Sequence, residues 1–302
     1  MTYLKEYQHS IIKPLVYFDV FNFPLNEDEL FLYSNGASMS RSELQEHLAA
    51  LLDKRTVYQL GDFYALQDDK AMVEIRKEGE LRASKAKKNA EKKARLIGRF
   101  PFVRGVLISG SYSKGILGKD GDIDFFIITE PNRLWVARTL LVFYKKAILL
   151  NSRKYFCINY FIDSENLQIE EKNRFTATEI ITLMPMVNAE LYEQFYANND
   201  WVLDYYPQAD RLETNNTQQL KKRRLGRFME WLLADRFGEW LDTRFMHMTF
   251  KRWQRKFGHM TDENFTIAMK TSRRISKHHP SNFQSRVLNQ YQQKLQSIEN
   301  LI

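Results

Sequence analysis

Two aspartates one residue apart, Asp122-Ile123-Asp124, follow Gly110-Ser111 after an interval of ten residues. The combination suits metal-assisted phosphoryl chemistry. Val106-Leu107-Ile108 ahead of the glycine reads as a short buried strand, and Ile123-Asp124-Phe125-Phe126-Ile127-Ile128 reads as a second. On a strand, residues two apart face the same way. Asp122 and Asp124 are therefore expected on one face, about 6 to 7 Å apart, where they can share divalent cations. Gly110, without a Cβ, lets the backbone approach a phosphate closely. Ser111 offers a hydroxyl and an N–H at what reads as a helix start, a position that favours phosphate.

Spacing excludes two competing motifs. A calcium loop of the EF-hand type beginning at Asp120 requires glycine where Phe125 stands and glutamate where Pro131 stands. A phosphate loop ending at Gly118-Lys119 requires Ser or Thr in place of Asp120. No triple-glycine dinucleotide pattern is present either.

The order of these residues, apolar-Gly-Ser, spacer, Asp-apolar-Asp-apolar, resembles the nucleotidyltransferase superfamily with a polymerase-beta-like palm. Tyr17-Phe18-Asp19-Val20-Phe21, Asn132-Arg133-Leu134-Trp135, Cys157-Ile158-Asn159-Tyr160 and Asn198-Asn199-Asp200-Trp201 extend the resemblance to uncharacterised bacterial nucleotidyltransferase-domain proteins with an amino-terminal winged-helix-like segment. The resemblance implies transfer of a nucleoside monophosphate from a nucleoside triphosphate, ATP foremost, to an acceptor, with Asp122 and Asp124 holding Mg2+ or Mn2+. Gly110 and Ser111 would cradle the triphosphate. Lys114, one helical turn after Ser111, and Arg133 would offset charge as pyrophosphate leaves. The acceptor class stays open between a small molecule, a protein side chain and RNA.

Members of that superfamily usually add a third carboxylate on the strand after the intervening helix. Here the helix is expected over Leu134–Leu150 and the strand over Tyr155–Ile162, and Asn159 occupies the third acid's place among the catalytic positions. An amide brings no charge and cannot serve as a general base. Asp163 shares its strand parity but lies about 13 Å further on and reads as a strand-end cap. Asn159 thus keeps a second function open, a catalytically impaired nucleotide-sensing or nucleic-acid-binding protein built on the same palm.

The elements that must position these residues divide the chain into four segments: a winged-helix-like unit over 1–68, a linking helix over 69–99, the palm over 100–168 and a helical carboxy-terminal domain over 169–302. The expected class is α+β, a mixed sheet with flanking helices between the two other units. Pro24–Leu30 opens one helix, and Ser40-Arg41-Ser42-Glu43 has capping-box spacing for the next. Val57–Leu60, Gly61-Asp62 and Phe63–Leu66 read as a hairpin with a two-residue turn. Helix, helix, hairpin is a winged-helix order. Its recognition helix carries Glu43 and Glu46 beside Arg41, a poor surface for phosphate, so a structural or protein-contacting role is expected. Thr176–Ile181 begins a helix that Leu183-Met184-Pro185-Met186 ends, and Leu191–Tyr196 forms another. Trp201 and Tyr205 offer stacking faces for a base or, equally, a capped turn.

At 302 residues and 44% apolar content the chain has ample material for more than one folding unit. Its single cysteine, Cys157, forms no internal disulfide and, set in an aromatic strand, reads as a packing residue. With no apolar stretch at the amino terminus and none long enough to span a bilayer, a cytoplasmic protein without a membrane partner is expected. The net charge of +8 gathers in two clusters. Lys77, Arg82, Lys85, Lys87, Lys88, Lys92, Lys93 and Arg95 belong to the linking helix and read as a solvated face. Lys221, Lys222, Arg223, Arg224 and Arg227 mix with Trp231, Trp240 and Trp253, a pattern that serves nucleic acid or, as favoured, an amphipathic bundle with an aromatic core. His278-His279 reads as surface.

Overall fold

The computed structural model describes residues 2–34, 39–148, 156–215, 217–219, 222, 224–279 and 282–299. Leu149, Leu150 and Tyr155 of the expected palm elements, and Lys221 and Arg223 of the second basic cluster, lie outside them.

The amino-terminal segment runs α1 (Thr2–Asp19), β1 (Leu25–Asn26), α2 (Glu27–Tyr33), α3 (Arg41–Asp53), β2 (Tyr58–Leu60) and β3 (Phe63–Ala65). Short polar side chains set its helix starts. Ser40 accepts from Glu43 N–H while the Glu43 carboxylate accepts from Ser40 N–H, and Asn26 and Glu29 form the same reciprocal cap on α2. Gly61, at φ 69°, takes the left-handed conformation of the tight turn, and β3 lies between β1 and β2 in an antiparallel sheet.

Asp69 caps α4 (Lys70–Gly98), whose buried face is Ala83, Ala86, Ala90 and Ala94. Small side chains let this helix lie close on a sheet. One residue ties it back to the amino-terminal segment. The Arg76 guanidinium donates to both Glu29 carboxylate oxygens at 2.7 Å and to Glu80 at 2.9 Å, sandwiched between the Phe23 and Phe63 rings.

The chain continues through β4 (Val103–Ser109), α5 (Gly110–Ser113), β5 (Asp124–Thr129), α6 (Leu134–Ala147), β6 (Cys157–Asp163), α7 (Arg174–Ile181), β7 (Met184–Val187) and α8 (Ala189–Ala197). A 3-10 turn (Asp200–Asp204) leads to α9 (Arg224–Leu232), α10 (Arg236–Phe257), α11 (Asp262–Ala268), β8 (Ile275–Lys277) and α12 (Phe283–Glu299). The five-stranded sheet has the order β7-β4-β5-β6-β8, with β5 and β6 parallel across the α6 crossover and the other pairs antiparallel. This is a mixed α+β architecture. Both faces are covered, because alternate residues feed two cores. Leu107, Phe126, Ile128 and Ile162 pack with residues of α1, α3, α7, α8 and α12. Val106, Phe125, Ile127 and Phe161 pack with residues of α4, α6 and α10. No helix among the described residues is long and apolar enough to cross a membrane.

Several expectations change. Met184-Pro185-Met186 does not end a helix but forms β7, where an edge position tolerates a proline without an N–H. The sheet takes both edge strands from beyond residue 168. Residues of α12 also return to α1, where Tyr17 and Tyr291 meet edge-on and Lys294 pairs with Asp19. Trp253 is buried, whereas Trp231 and Trp240 are exposed, so the expected aromatic bundle core is only partly formed. His278 and His279 are half-buried rather than fully on the surface: desolvation pushes both imidazoles down to about 4, and His278 packs on Trp253 at 5.0 Å.

Arg76→Ala should destabilise the protein by about 3 kcal/mol in urea unfolding, because it strands Glu29 without its bidentate partner. The exposed Arg41–Asp28 pair should be removable with little effect.

Candidate functional site

Strand β4 carries the chain to Gly110 on a run of fully buried residues, Val106, Leu107 and Ile108. Its last residue, Ser109, pairs with Asp124, the first residue of β5. The backbone then turns at Gly110, with φ 72°. A Cβ built there would stand 2.5 Å from Asp124 Oδ2. Glycine is required twice, by the left-handed conformation and by the approach of the carboxylate.

Asp122 does not sit on the strand. β5 begins at Asp124, and Asp122 belongs to the connection before it, although Ile123 O already accepts from Cys157 N–H at 3.0 Å. Asp122 remains close enough for its charge to raise the Asp124 carboxyl, as does Glu179. Burial is the larger cause, and together they push Asp124 up to about 6 against the pull of the Cys157 thiol hydrogen bond and Lys114. Burial and Asp124 in turn push the Cys157 thiol up to about 12, which keeps it protonated and a poor nucleophile.

Asn159 lies beside this acid. The β5–β6 register shifts between Phe125 and Phe126, so Ile158 and Tyr160 find partners while Asn159 is the unpaired residue of a bulge. Its Nδ2 donates to Cys157 Sγ at 2.9 Å and lies 3.4 Å from Asp124 Oδ1. Asp163 caps the strand end, accepting from Glu165 N–H and Asn166 Nδ2.

The third carboxylate in this region comes from elsewhere. Glu179 on α7 accepts from Gly110 N–H at 3.2 Å through one oxygen and from Lys114 Nζ at 2.7 Å through the other. Sequence reasoning did not single out Glu179. A signal existed, since Glu179 is the sole charge between Arg174 and Glu190, and an isolated charge on an apolar helix marks a site. Lys114 is spent on Glu179 and on Gly110 O at 3.1 Å.

A cavity of about 390 Å³ opens against these groups. Gly110, Ser111, Asp124, Asn159 and Glu179 line it, with Phe126, Tyr160 and Phe283 among its apolar walls and Lys277 at the edge strand. Asp122 and Lys114 are not among its lining residues. Arg133 is placed away from it. Its guanidinium is buried under the α9–α10 turn and donates to the carbonyls of Leu233, Ala234, Asp235 and Asn132. Trp201 and Tyr205 also lie away from the cavity, edge-to-face with each other, with Trp201 Nε1 donating to Asn199.

Among the described residues no three His, Cys, Asp or Glu side chains are grouped to hold a metal unaided. The donors nonetheless fit Mg2+, which is commonly held by one or two carboxylates and completed by substrate phosphates and water. Asp124 is a half-buried acid raised by desolvation and by neighbouring negative charge, an environment that a divalent cation relieves.

Because Asp124 has a folded pKa above its ordinary value of 3.8, its contribution to stability is fully present when protonated and is lost as pH rises through about 6. Asp124→Asn should therefore stabilise the ligand-free protein at pH 7 by at most about 3 kcal/mol, read as a higher melting temperature, and flatten its pH dependence between 4 and 6. Gly110→Ala should destabilise the protein and displace Asp124, seen as a lower melting temperature together with lost metal-dependent nucleotide binding.

Residues 90–182 match the family model described as nucleotidyltransferase domain. No curated protein and no solved structure matches the chain. The matched segment runs from within α4 to the end of α7 and takes in Gly110, Ser111, Asp122, Asp124, Asn159 and Glu179. It supports placement in the nucleotidyltransferase superfamily and, with it, a general nucleotidyltransferase activity on a nucleoside triphosphate.

Proposed function

We propose that the chain transfers a nucleoside monophosphate from a nucleoside triphosphate, ATP foremost, to an acceptor bound in the 390 Å³ cavity, with Glu179 as the general base. The observation that carries this reading is the convergence of Asp124 and Glu179 on Gly110 at the cavity wall. Asp122 and Asp124 would hold Mg2+ or Mn2+, which supplies Lewis-acid neutralisation of the triphosphate when bound. Gly110, without a Cβ, leaves room for the phosphates beside Asp124, and Ser111 presents its N–H and hydroxyl to them. An acceptor oxygen or nitrogen forms a bond to the α-phosphorus, the bond from that phosphorus to the β-phosphate bridging oxygen breaks, and pyrophosphate departs. The proton released by the acceptor passes to a Glu179 carboxylate oxygen. Lys114 holds Glu179 at Gly110 and acts as a positioning residue. Asn159 orients Asp124 without contributing charge. Around this centre, residues 1–68 are read as a winged-helix-like unit covering one side of the palm.

Incubation of the chain with nucleoside triphosphates, Mg2+ or Mn2+ and a panel of hydroxyl and amine acceptors should release pyrophosphate. Glu179→Gln should lower turnover by about 10²–10⁴-fold while nucleotide binding stays nearly constant. Unchanged turnover would remove Glu179 from the base role. Asp124→Asn should abolish metal-dependent nucleotide binding, and retention of that binding would overturn the site itself. In the unsubstituted protein, metal-dependent binding should weaken as pH falls through about 6, where Asp124 takes up its proton.

A further inference from the structure

Helix α10 presents an outward line that the proposed transfer does not use. Phe237, Trp240, Arg244, Met248, Lys251 and Arg255 follow one another at intervals of three and four residues, which places them on one face of an α-helix. All six are exposed: Phe237, Trp240 and Met248 at 57%, 58% and 58%, with Arg244, Lys251 and Arg255 in the same class. The line is about 27 Å long at 1.5 Å per residue. Its two aromatic rings are stacked, with centroids 5.9 Å apart and planes 21° from parallel. No acid occurs from Thr243 to Met260, and among the described residues none of Arg244, Lys251 and Arg255 is paired with a carboxylate. The preceding helix, α9, adds a second exposed aromatic pair, Phe228 and Trp231, at 5.9 Å.

We infer that this face of α10 binds single-stranded nucleic acid. Charge complementarity selects the partner. A second copy meeting this face through its own α10 would bring further cations against these, with no acid between Thr243 and Met260 to meet them. A lipid surface favours aromatics on one face of a helix and cations on the other, whereas here both share one line. A single strand offers what the line lacks, negative phosphates for Arg244, Lys251 and Arg255 and flat bases for Phe237 and Trp240. The length accommodates on the order of four nucleotides. The chain's net charge of +8 adds long-range attraction.

The full chain should raise the anisotropy of a fluorescein-labelled oligouridine, with log affinity falling against log salt at a slope of about −2 for three phosphate contacts. The combined variant Arg244→Ala, Lys251→Ala, Arg255→Ala should bring that slope close to zero. Trp240→Ala should weaken binding about tenfold at unchanged slope. These side chains lie outside the core, so circular dichroism and melting temperature should match the parent. Asp124→Asn should leave oligouridine binding intact, which separates this inference from the proposed transfer. An unchanged slope in the triple variant overturns it. So does an absence of oligouridine binding, whether the face then captures anionic phosphatidylserine vesicles or mediates a dimer in sedimentation that Trp240→Glu dissolves.

Discussion

Everything else in this protein depends on a five-stranded sheet that is covered on both faces. A sheet buried on both sides can admit polar groups only where its strands end, because an unpaired polar atom between two apolar layers is costly. Ser109 and Asp124 are a cross-strand pair at such an end. Ile123 on one side of Asp124 and Phe125 on the other face the α4, α6 and α10 core, and this fixes the direction in which the acid projects. The chemistry of the cavity is thus a consequence of where the apolar pattern stops.

At that end the chain accepts an electrostatic penalty. Asp124 is half-buried, close to two other carboxylates, and is aided by a thiol, an amide and the Lys114 ammonium. Such a group weakens the ligand-free fold at neutral pH, and substrate with its metal ion would relieve it. Gly110 makes the arrangement possible by leaving room for the carboxylate, and Glu179 ties α7 to the same backbone N–H. One glycine therefore couples the sheet, an acid from β5 and an acid from a helix some seventy residues away.

Local chemistry was legible in the sequence. The Ser40–Glu43 capping box, the Gly61-Asp62 turn, the β4 and β5 runs and the α6 crossover depend on interactions among residues close in the chain, and the structure has them where the pattern puts them. Periodicity read less well near element ends. Asp122 falls outside β5 and Asn159 occupies a bulge, since a register shift is decided by the partner strand rather than by either strand alone. The short edge strands β7 and β8 carried too few residues for their periodicity to identify them.

Partners distant in sequence were beyond its reach. Arg133 looks like a free cation next to the palm motif, yet its guanidinium is consumed by carbonyls a hundred residues on. Glu179 stands out in the sequence as an isolated charge, yet nothing local says that it reaches Gly110 and Lys114 at the cavity wall. By itself the sequence marked Gly110, Ser111, Asp122 and Asp124 as candidates for phosphoryl chemistry and placed the longer strands and helices, because side-chain type and periodicity are local properties. Only the tertiary structure decided which charges face the cavity and which are neutralised elsewhere, because that depends on packing between elements brought together by burial of the sheet's two faces.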